Sequence, residues 1–187
     1  MLTDIADESN RLLSIIENLL LLTRLGSGPP PDQEPQLIAH VTRIAVNGYR
    51  QHHPERSISL DVEPGRQMVV EADRGHLERL LDNLLTNATK SSPASTEIEV
   101  IVGSDEQEAC VTVLDRGIGI EDADADQLFT AFYRTEAAKM RSAGLGIGLA
   151  VCQRIVDSLG GRIWARPREG GGTEAGFALP LAVVAPD

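Results

Sequence analysis

The sequence predicts an α+β fold: a two-layer α/β sandwich in which helices cover one face of a mixed, mostly antiparallel sheet, preceded by a long amphipathic helix. Segments with the apolar spacing of helices are interspersed with short runs in which apolar and polar residues alternate, as they do in strands. The order is helix, two strands, helix, two strands, loop, helix and two strands, without an internal repeat. At 187 residues, the chain is long enough for one substantial domain and an appendage.

The first expected element is an amphipathic helix over residues 2–25, where apolar side chains recur at near-heptad spacing. The following run, GSGPPP, should end it, because glycine caps helices and proline cannot continue them. We therefore predict a boundary between residues 1–27 and a main domain of residues 28–187.

The main domain should contain both kinds of element. Helical spacing predicts helices over residues 37–53, 73–92 and 150–161. Asp73 is placed to cap the second helix, whose buried stripe should consist of Leu77, Leu80, Leu81, Leu84, Leu85 and Ala88. Strands are expected at residues 57–63, 67–73, 97–104 and 108–115, the last two as an antiparallel pair. A short helix is predicted over residues 122–134, and a hairpin turn with a final strand over residues 168–181.

Composition narrows the possible functions. The net charge of -11 argues against a large nucleic-acid interface, which needs clustered Lys and Arg. The most apolar stretch is interrupted by Glu17 and Asn18 and resembles neither a membrane span nor a signal peptide, so we expect a cytoplasmic location for this part of the protein. Cys110 and Cys152 lie in a strand-like and a helix-like run, and both are expected to be buried free thiols.

Gly144, Gly146 and Gly148 occupy every second position just ahead of a helix-like run. Such glycines let the backbone approach a ligand, and the N-terminus of the following helix favours an anion. The spacing fits neither a dinucleotide-binding fold nor a P-loop. By themselves these glycines leave two interpretations open, an anion-binding loop and a simple turn.

Two further groups of residues have the chemistry of a phosphate or nucleotide site. Asp115 ends a strand and is followed by Gly117, which would put a hydrogen-bond acceptor beside backbone that can approach a flat ring; an Asp-Gly turn is the alternative. Asn83, Asn87 and Lys90 share one helix face. Amide oxygens suit Mg²⁺ and a lysine suits phosphate, although a solvated polar face has the same pattern.

Taken in order, these segments resemble the ATP-binding domain of sensor histidine kinases, which is shared in outline with gyrase and related ATPases. LLDNLLTNATK is similar to the N box, DRGIGI to the G1 box, LFTAFYR to the F box and GLGIGLAVCQRIVDSLGGRIWA to the G2 box. GGTEAGFALPL resembles the closing segment of that domain, so the resemblance covers roughly residues 35–181. Residues 1–27 are similar to the second helix of the dimerisation and phosphotransfer hairpin.

The resemblance implies binding of ATP and Mg²⁺ and assigns roles to residues. Asn87 would coordinate Mg²⁺, Asn83 and Lys90 would line the phosphate side, and Asp115 would accept a hydrogen bond from the adenine amino group. The residues expected around the base are Gly117, Gly119, Ile120 and Thr173. A mobile lid would contain Tyr133, Arg134, Lys139 and Arg141. The loop bordering the triphosphate would consist of Gly144, Leu145, Gly146, Ile147, Gly148 and Leu149.

The sequence departs from the family pattern in three places. Ser91 stands where an aromatic residue is common, so a packing contact near the nucleotide would be absent, and Arg116 stands where a small polar residue is usual. The phosphoacceptor motif, a histidine followed by an acidic residue and then by proline four positions later, fits none of the histidines His40, His52, His53 and His76.

The chain is therefore expected to be a C-terminal part of a larger kinase, whether or not that parent is anchored in a membrane. It should bind nucleotide without phosphorylating itself. Its expected partners are the phosphoacceptor helix of the parent, a response regulator and, through residues 2–25, a second copy. The alternatives are a nucleotide-free interaction scaffold and a related ATPase or protein-serine kinase.

Overall fold

The computed structural model describes residues 16–22, 33–136, 139 and 145–182. Residues 16–22 are helical and form α1. The other helices are α2 (Ile38–His52), α3 (Arg74–Ser91) and α4 (Gly148–Ser158). The strands are β1 (Glu34–Leu37), β2 (Ile58–Val62), β3 (Val69–Ala72), β4 (Ile98–Ser104), β5 (Glu108–Leu114), β6 (Arg162–Pro167) and β7 (Thr173–Pro180).

A five-stranded sheet with the order β2-β4-β5-β7-β6 forms one layer of the fold. Only β2 and β4 pair in parallel; the other neighbours are antiparallel, including the predicted pair β4 and β5. The helices α2, α3 and α4 pack against this sheet. The predicted α+β fold with a mixed, mostly antiparallel sheet is thereby confirmed.

The core lies between the helices and the sheet. All six apolar residues predicted for the stripe of α3 are buried. Phe177 of β7 and Met68 are also fully enclosed. The helix begins as expected, because the Asp73 carboxylate accepts a hydrogen bond from the His76 N–H at 2.9 Å. This packing fixes which face of α3 points away from the core.

The strands β2 and β3 are neighbours in sequence but belong to different sheets. β3 pairs with β1, a strand that the sequence did not predict, in a separate antiparallel ribbon. β1 contains Pro35, which has no N–H to donate and for that reason gives a weak strand signal. Helix α2 consequently begins at Ile38, directly after β1.

The helix predicted over residues 122–134 is not formed. The segment makes two short 3₁₀ turns, Asp122–Asp124 and Gln127–Phe129, and then Phe132 adopts a left-handed conformation with φ 68°. Aspartates have low helix propensity because their side chains compete with the helix for backbone hydrogen bonds. The prediction was wrong because a few apolar residues at helical spacing do not outweigh three aspartates in five positions.

Helix α1 packs on the main domain. Leu21 and Leu22 contact the buried cluster of Ile147, Val151 and Ile155. The remainder of the helix predicted over residues 2–25 lies outside the described residues, as does the predicted boundary at GSGPPP. None of the described helices is both long and apolar enough to cross a membrane.

Both cysteines are free. Cys152 is buried as expected, whereas Cys110 is only partly buried because it lies on the open face of the sheet, beside Trp164 and Arg162. The expectation of two buried thiols therefore holds for Cys152 alone.

Candidate functional site

A cavity of about 620 Å³ opens between α3, the loop after β5, the segment around Tyr133 and the start of α4. Most of the residues predicted from sequence line it: Asn83, Asn87, Lys90, Asp115, Gly119, Ile120, Tyr133, Arg134, Leu145, Gly146, Ile147, Gly148, Leu149 and Thr173. Its size is that of a small-molecule site. The topology therefore brings together side chains that are far apart in the sequence.

Two other predicted residues that the structure describes, Gly117 and Lys139, are not among those lining the cavity. Gly117 lies behind its wall, where its N–H donates to the Asp115 carboxylate. Lys139 is exposed and pairs with Glu136 at 2.5 Å. Arg141 and Gly144 lie outside the described residues.

Asp115 is held by hydrogen bonds on almost every side. Its Oδ1 accepts from the N–H of Gly117 at 2.6 Å and from the N–H of Thr173 at 3.3 Å. Its own N–H donates to the Thr173 carbonyl at 2.9 Å, and its carbonyl accepts from Arg168 at 3.3 Å. The residue is 5% exposed and lines the cavity, and Oδ2 is the carboxylate oxygen that these bonds do not occupy.

Burial raises the pKa of the Asp115 carboxyl above its usual value. The two backbone N–H groups and the charge of Arg168 act in the opposite direction. An ionised acceptor in a half-apolar cavity can recognise a donor such as an exocyclic amino group. Its protonation at acid pH would remove that acceptor.

Glycines let two loops pass close to Asp115. At Gly172, where φ is +99°, a Cβ atom would lie 2.1 Å from the Asp115 carbonyl oxygen. At Gly117, a Cβ would lie 2.4 Å from the carbonyl oxygen of Ser91. Side chains would therefore separate these segments and displace the carboxylate.

The polar face of α3 forms the opposite wall of the cavity, with Asn83, Asn87 and Lys90 along it. The Nδ2 atom of Asn83 is buried and has no hydrogen-bond partner of good geometry among the described residues, because its neighbour, the Cys152 thiol, is a weak acceptor. Such a donor is normally satisfied, and Asn83 lines the cavity, where a phosphate oxygen would be a stronger acceptor. Asn83 also lies beside the thiol of Cys152, whose pKa burial raises to about 12, so that the thiol stays protonated.

Helix α4 points its N-terminus at the same cavity. Its N-cap residue, Ile147, offers no side-chain cap, and its first turn holds no acidic residue. The N–H groups of that turn are consequently available to an anion. Gly148 packs tightly against Asn83: a Cβ there would lie 2.8 Å from the Asn83 Oδ1.

The glycine loop before α4 is fixed to the segment around Tyr133. Gly146 has φ +69° and accepts a hydrogen bond from the N–H of Phe132 at 2.9 Å. Tyr133 donates its hydroxyl to Asp124 at 2.5 Å, and this bond raises the pKa of the phenol. The predicted lid residue Tyr133 is thus positioned by Asp124, which the sequence did not single out.

Comparison with known proteins agrees with this geometry. Residues 72–183 match the family described as histidine kinase-, DNA gyrase B- and HSP90-like ATPases. The chain belongs to this ATPase family.

Several relatives in the ATPase family are sensor kinases. The chain is 30% identical to the sensor histidine kinase WalK of Bacillus subtilis over 178 residues and 30% identical to the sensor protein KdpD of Clostridium acetobutylicum over 183 residues. These matches cover 93% and 96% of this chain, but only 29% and 20% of the two relatives. The chain therefore corresponds to a minor part of each of them.

Solved structures give the same result. A mycobacterial sensor histidine kinase, MprB, superposes with a TM-score of 0.70 at 25% identity, over 80% of this chain and 97% of that one. Full-length ShkA in complex with AMPPNP superposes with a TM-score of 0.79 at 25% identity, over 98% of this chain and 39% of that one. The fold of this ATPase-family chain is therefore that of histidine kinase catalytic domains.

Several lining residues of this ATPase-family site were missed from the sequence. Thr86 lies on the same face of α3 as Asn83, at i+3, so helical spacing could have identified it. Val113 and Ala175 lie opposite each other on β5 and β7, a register that no local pattern reveals. Further missed residues lining the cavity are Asn18, His53, Asp82, Leu84, Ala88, Ile118, Leu128, Thr135 and Ala165.

The two substitutions in the family pattern have structural consequences. Ser91 lines the cavity, and its carbonyl accepts a hydrogen bond from the Ile118 N–H at 3.2 Å. Arg116 is exposed and donates to the Glu169 carbonyl at 3.2 Å. Its guanidinium thus points away from the cavity and ties the loop after β5 to the turn before β7.

Proposed function

We propose that this chain is the ATP-binding catalytic domain of a sensor histidine kinase. In this role it binds ATP with Mg²⁺ and presents the γ-phosphoryl group to a histidine on a separate helix. One observation carries the proposal: a single cavity is lined at one side by the buried acceptor of Asp115 and at the other by Asn83, Asn87, Lys90 and the start of α4. An adenine base and a triphosphate need these two chemistries at the two ends of one site.

The base is recognised by Asp115. Because Oδ1 is occupied by two backbone N–H groups, Oδ2 is left for the adenine amino group. Ile120 and Val113 supply apolar walls for the ring, and Thr173 lies beside the carboxylate. A base with a carbonyl in place of the amino group would set its carbonyl oxygen, which is an acceptor, against Oδ2, which is also an acceptor.

The phosphates lie between α3 and α4. The ammonium of Lys90 donates to phosphate oxygens, Asn83 lines the same side of the cavity, and the first turn of α4 adds backbone N–H groups. The amide oxygen of Asn87 fits a hard cation, which in such sites keeps water and phosphate oxygens as its other ligands. When bound, Mg²⁺ neutralises charge on the phosphates.

The acceptor and the other partners lie outside this chain. The resemblance to sensor kinases supports a phosphoacceptor helix in a larger protein, a response regulator that receives the phosphoryl group, and self-association through residues 2–25. ShkA, which shares this fold, has been crystallised with the ATP analogue AMPPNP. The catalytic contribution of this domain is to position the triphosphate and to balance its charge, which is most of what phosphoryl transfer requires.

Isothermal titration of the purified chain with ATP and Mg²⁺ tests the proposal. The wild-type chain should bind one nucleotide. Asp115→Ala should abolish adenine-selective binding, whereas Asn87→Ala should bind ATP alone as well as wild type does and lose only the gain in affinity that Mg²⁺ gives. Arg154→Ala, on the exposed side of α4, is the control and should bind normally.

Two outcomes would contradict this proposal. An absence of heat together with an absence of thermal stabilisation would favour a nucleotide-free scaffold. Steady hydrolysis of ATP, or phosphoserine on an added protein, would favour another activity of the same superfamily.

A further inference from the structure

Arg168, in the turn between β6 and β7, contacts the main chain of Asp115. Its side chain is 10% exposed. Nη2 of its guanidinium pairs with Glu99 of β4 at 2.5 Å, and Nη1 donates to the main-chain carbonyl of Asp115 at 3.3 Å. Arginine is rarely buried to this extent unless its charge is paired. Here Glu99 supplies the opposite charge, and the second contact of the guanidinium, with Asp115, links it to the site.

We infer that Arg168 is a positioning residue for nucleotide recognition: anchored by Glu99, its guanidinium fixes the main chain of Asp115 and places a positive charge near the carboxylate that accepts from the base. The inference rests on the proposed function, because it assigns a role within the same nucleotide site. It is carried by residues that do not line the cavity and that sequence patterns did not indicate.

The first part of this role is geometric. Arg168 also closes the turn that carries Thr173, since its N–H donates to the Gly172 carbonyl at 3.1 Å and its carbonyl accepts from the Gly171 N–H at 3.0 Å. The N–H of Thr173 in turn donates to the Asp115 Oδ1. The main-chain bonds of this turn do not need an arginine, so the specific contribution of the Arg168 side chain is its hydrogen bond to the main-chain carbonyl of Asp115.

The second part is electrostatic. Burial pushes the pKa of Asp115 upward, and three neighbours oppose it: the N–H groups of Gly117 and Thr173, and the charge of Arg168. The nearby guanidinium of Arg116 is directed to the Glu169 carbonyl. Loss of the Arg168 charge should therefore raise the pKa of Asp115 further and reduce the fraction of the chain that carries an ionised acceptor at mildly acid pH.

Titration of the wild-type chain and four variants with ADP between pH 5 and pH 8 separates these effects. ADP itself titrates in this range, but identically for every variant, so the differences belong to the protein. We expect Arg168→Met to weaken ADP binding on the order of tenfold at pH 8, the scale of one hydrogen bond to a charged group. As the pH is lowered, the affinity of Arg168→Met for ADP should also begin to fall at a higher pH than the affinity of the wild-type chain does.

The other variants assign each effect to a group. Arg168→Lys keeps the positive charge but loses the planar guanidinium with its several N–H donors. This variant should therefore keep the wild-type pH dependence but bind ADP with lower affinity. Glu99→Gln removes the anchor and should weaken binding in the same direction as Arg168→Met. Arg166→Met, two residues away, breaks an exposed ion pair with Glu174 and serves as the matched control, with wild-type binding expected.

Unchanged affinity and unchanged pH dependence in Arg168→Lys, Arg168→Met and Glu99→Gln would overturn the inference. If Arg168→Met does not fold, Arg168→Lys and Glu99→Gln decide the question, because wild-type affinity in both would contradict a positioning role. A wild-type chain that fails to bind ADP would instead refute the proposed function, so the two failures are distinguishable.

Discussion

Folding and the proposed recognition of a base place opposite demands on the carboxyl group of Asp115. The folded chain buries its carboxylate, which raises the pKa of the group above that of an unfolded chain. A raised folded-state pKa means that the ionised form opposes folding at neutral pH, and that the stability contributed by this group grows as the pH falls through that pKa. The base recognition that we propose for Asp115 requires the ionised form, so that role and stability make opposite demands on this side chain.

At the scale of the residue, Asp115→Asn should change which purine the chain prefers. The N–H groups of Gly117 and Thr173 hold an acceptor inward, so the asparagine oxygen should take the place of Oδ1 and its amide nitrogen should face the cavity. That nitrogen is a donor and suits a carbonyl at position 6 of the base. Competition titrations should show weaker ATP binding and relatively stronger inosine triphosphate binding.

In the absence of nucleotide, the same variant should be at least as stable as wild type at pH 7, because it removes a buried charge. Urea denaturation measures this. Unchanged ATP preference would mean that Oδ2 is not the atom that reads the base.

At the scale of the element, the turn before β7 contains two consecutive glycines with the same φ angle. Gly171 and Gly172 both have φ +99°, but a Cβ at Gly171 would meet nothing within 4 Å, whereas one at Gly172 would lie 2.1 Å from the Asp115 carbonyl oxygen. The two positions therefore separate backbone strain from close packing.

Gly171→Ala should lose about 1 kcal/mol of unfolding free energy, the usual strain of a left-handed alanine, and should retain ATP binding. Gly172→Ala should lose roughly 2–4 kcal/mol, because a clash is added to that strain, and should bind ATP more weakly as Asp115 is displaced. Urea denaturation and titration calorimetry give both quantities. Equal losses in the two variants would show that the close approach is not maintained in solution.

Arg79 of α3 joins this helix to α1. Arg79 donates to Glu17 at 2.9 Å and to the Asn18 side-chain oxygen at 3.0 Å. Asn18 is buried and also lines the cavity. The end of the leading helix is thus in contact with the wall of the site.

Arg79→Met should loosen residues 16–22 without unfolding the domain. Partly exposed ion pairs contribute on the order of 1 kcal/mol, which corresponds to about fivefold faster amide exchange in this helix. Arg74→Met is the control, since Arg74 lies on the same helix and pairs with exposed Glu78. Equal exchange in the two variants, measured by mass spectrometry, would show that the leucine contacts alone hold α1.

At the scale of the whole molecule, nucleotide should stabilise the chain, because the site is assembled from α3, the loop after β5, the start of α4 and β7. At a ligand concentration of 100 times the dissociation constant, binding stabilises a folded protein by about 2.7 kcal/mol. For a domain of this size we expect a rise in melting temperature of about 5–10 °C with ATP and Mg²⁺. Asp115→Ala should show no comparable rise.

Local patterns were sufficient for much of this protein. The stripe of α3, its cap at Asp73, the antiparallel pair of β4 and β5 and most lining residues of the cavity were predicted from spacing and from ordered resemblance, because helical period, strand alternation and capping chemistry depend on neighbouring residues. The order of Asn87, Asp115 and Gly146 along the chain was enough to identify the family before any geometry was known.

The tertiary structure determined the features that depend on contacts between residues distant in the sequence. Pairing of β1 with β3, the wall formed by Val113 and Ala175, and the contact of Asn18 with the cavity each join segments that no local pattern connects. The same is true of Arg168, which lies 53 residues from Asp115 and 69 from Glu99. Sequence determined which chemical groups were available. Long-range packing determined that two backbone N–H groups hold one oxygen of Asp115, because Gly117 and Thr173 meet only in the folded chain.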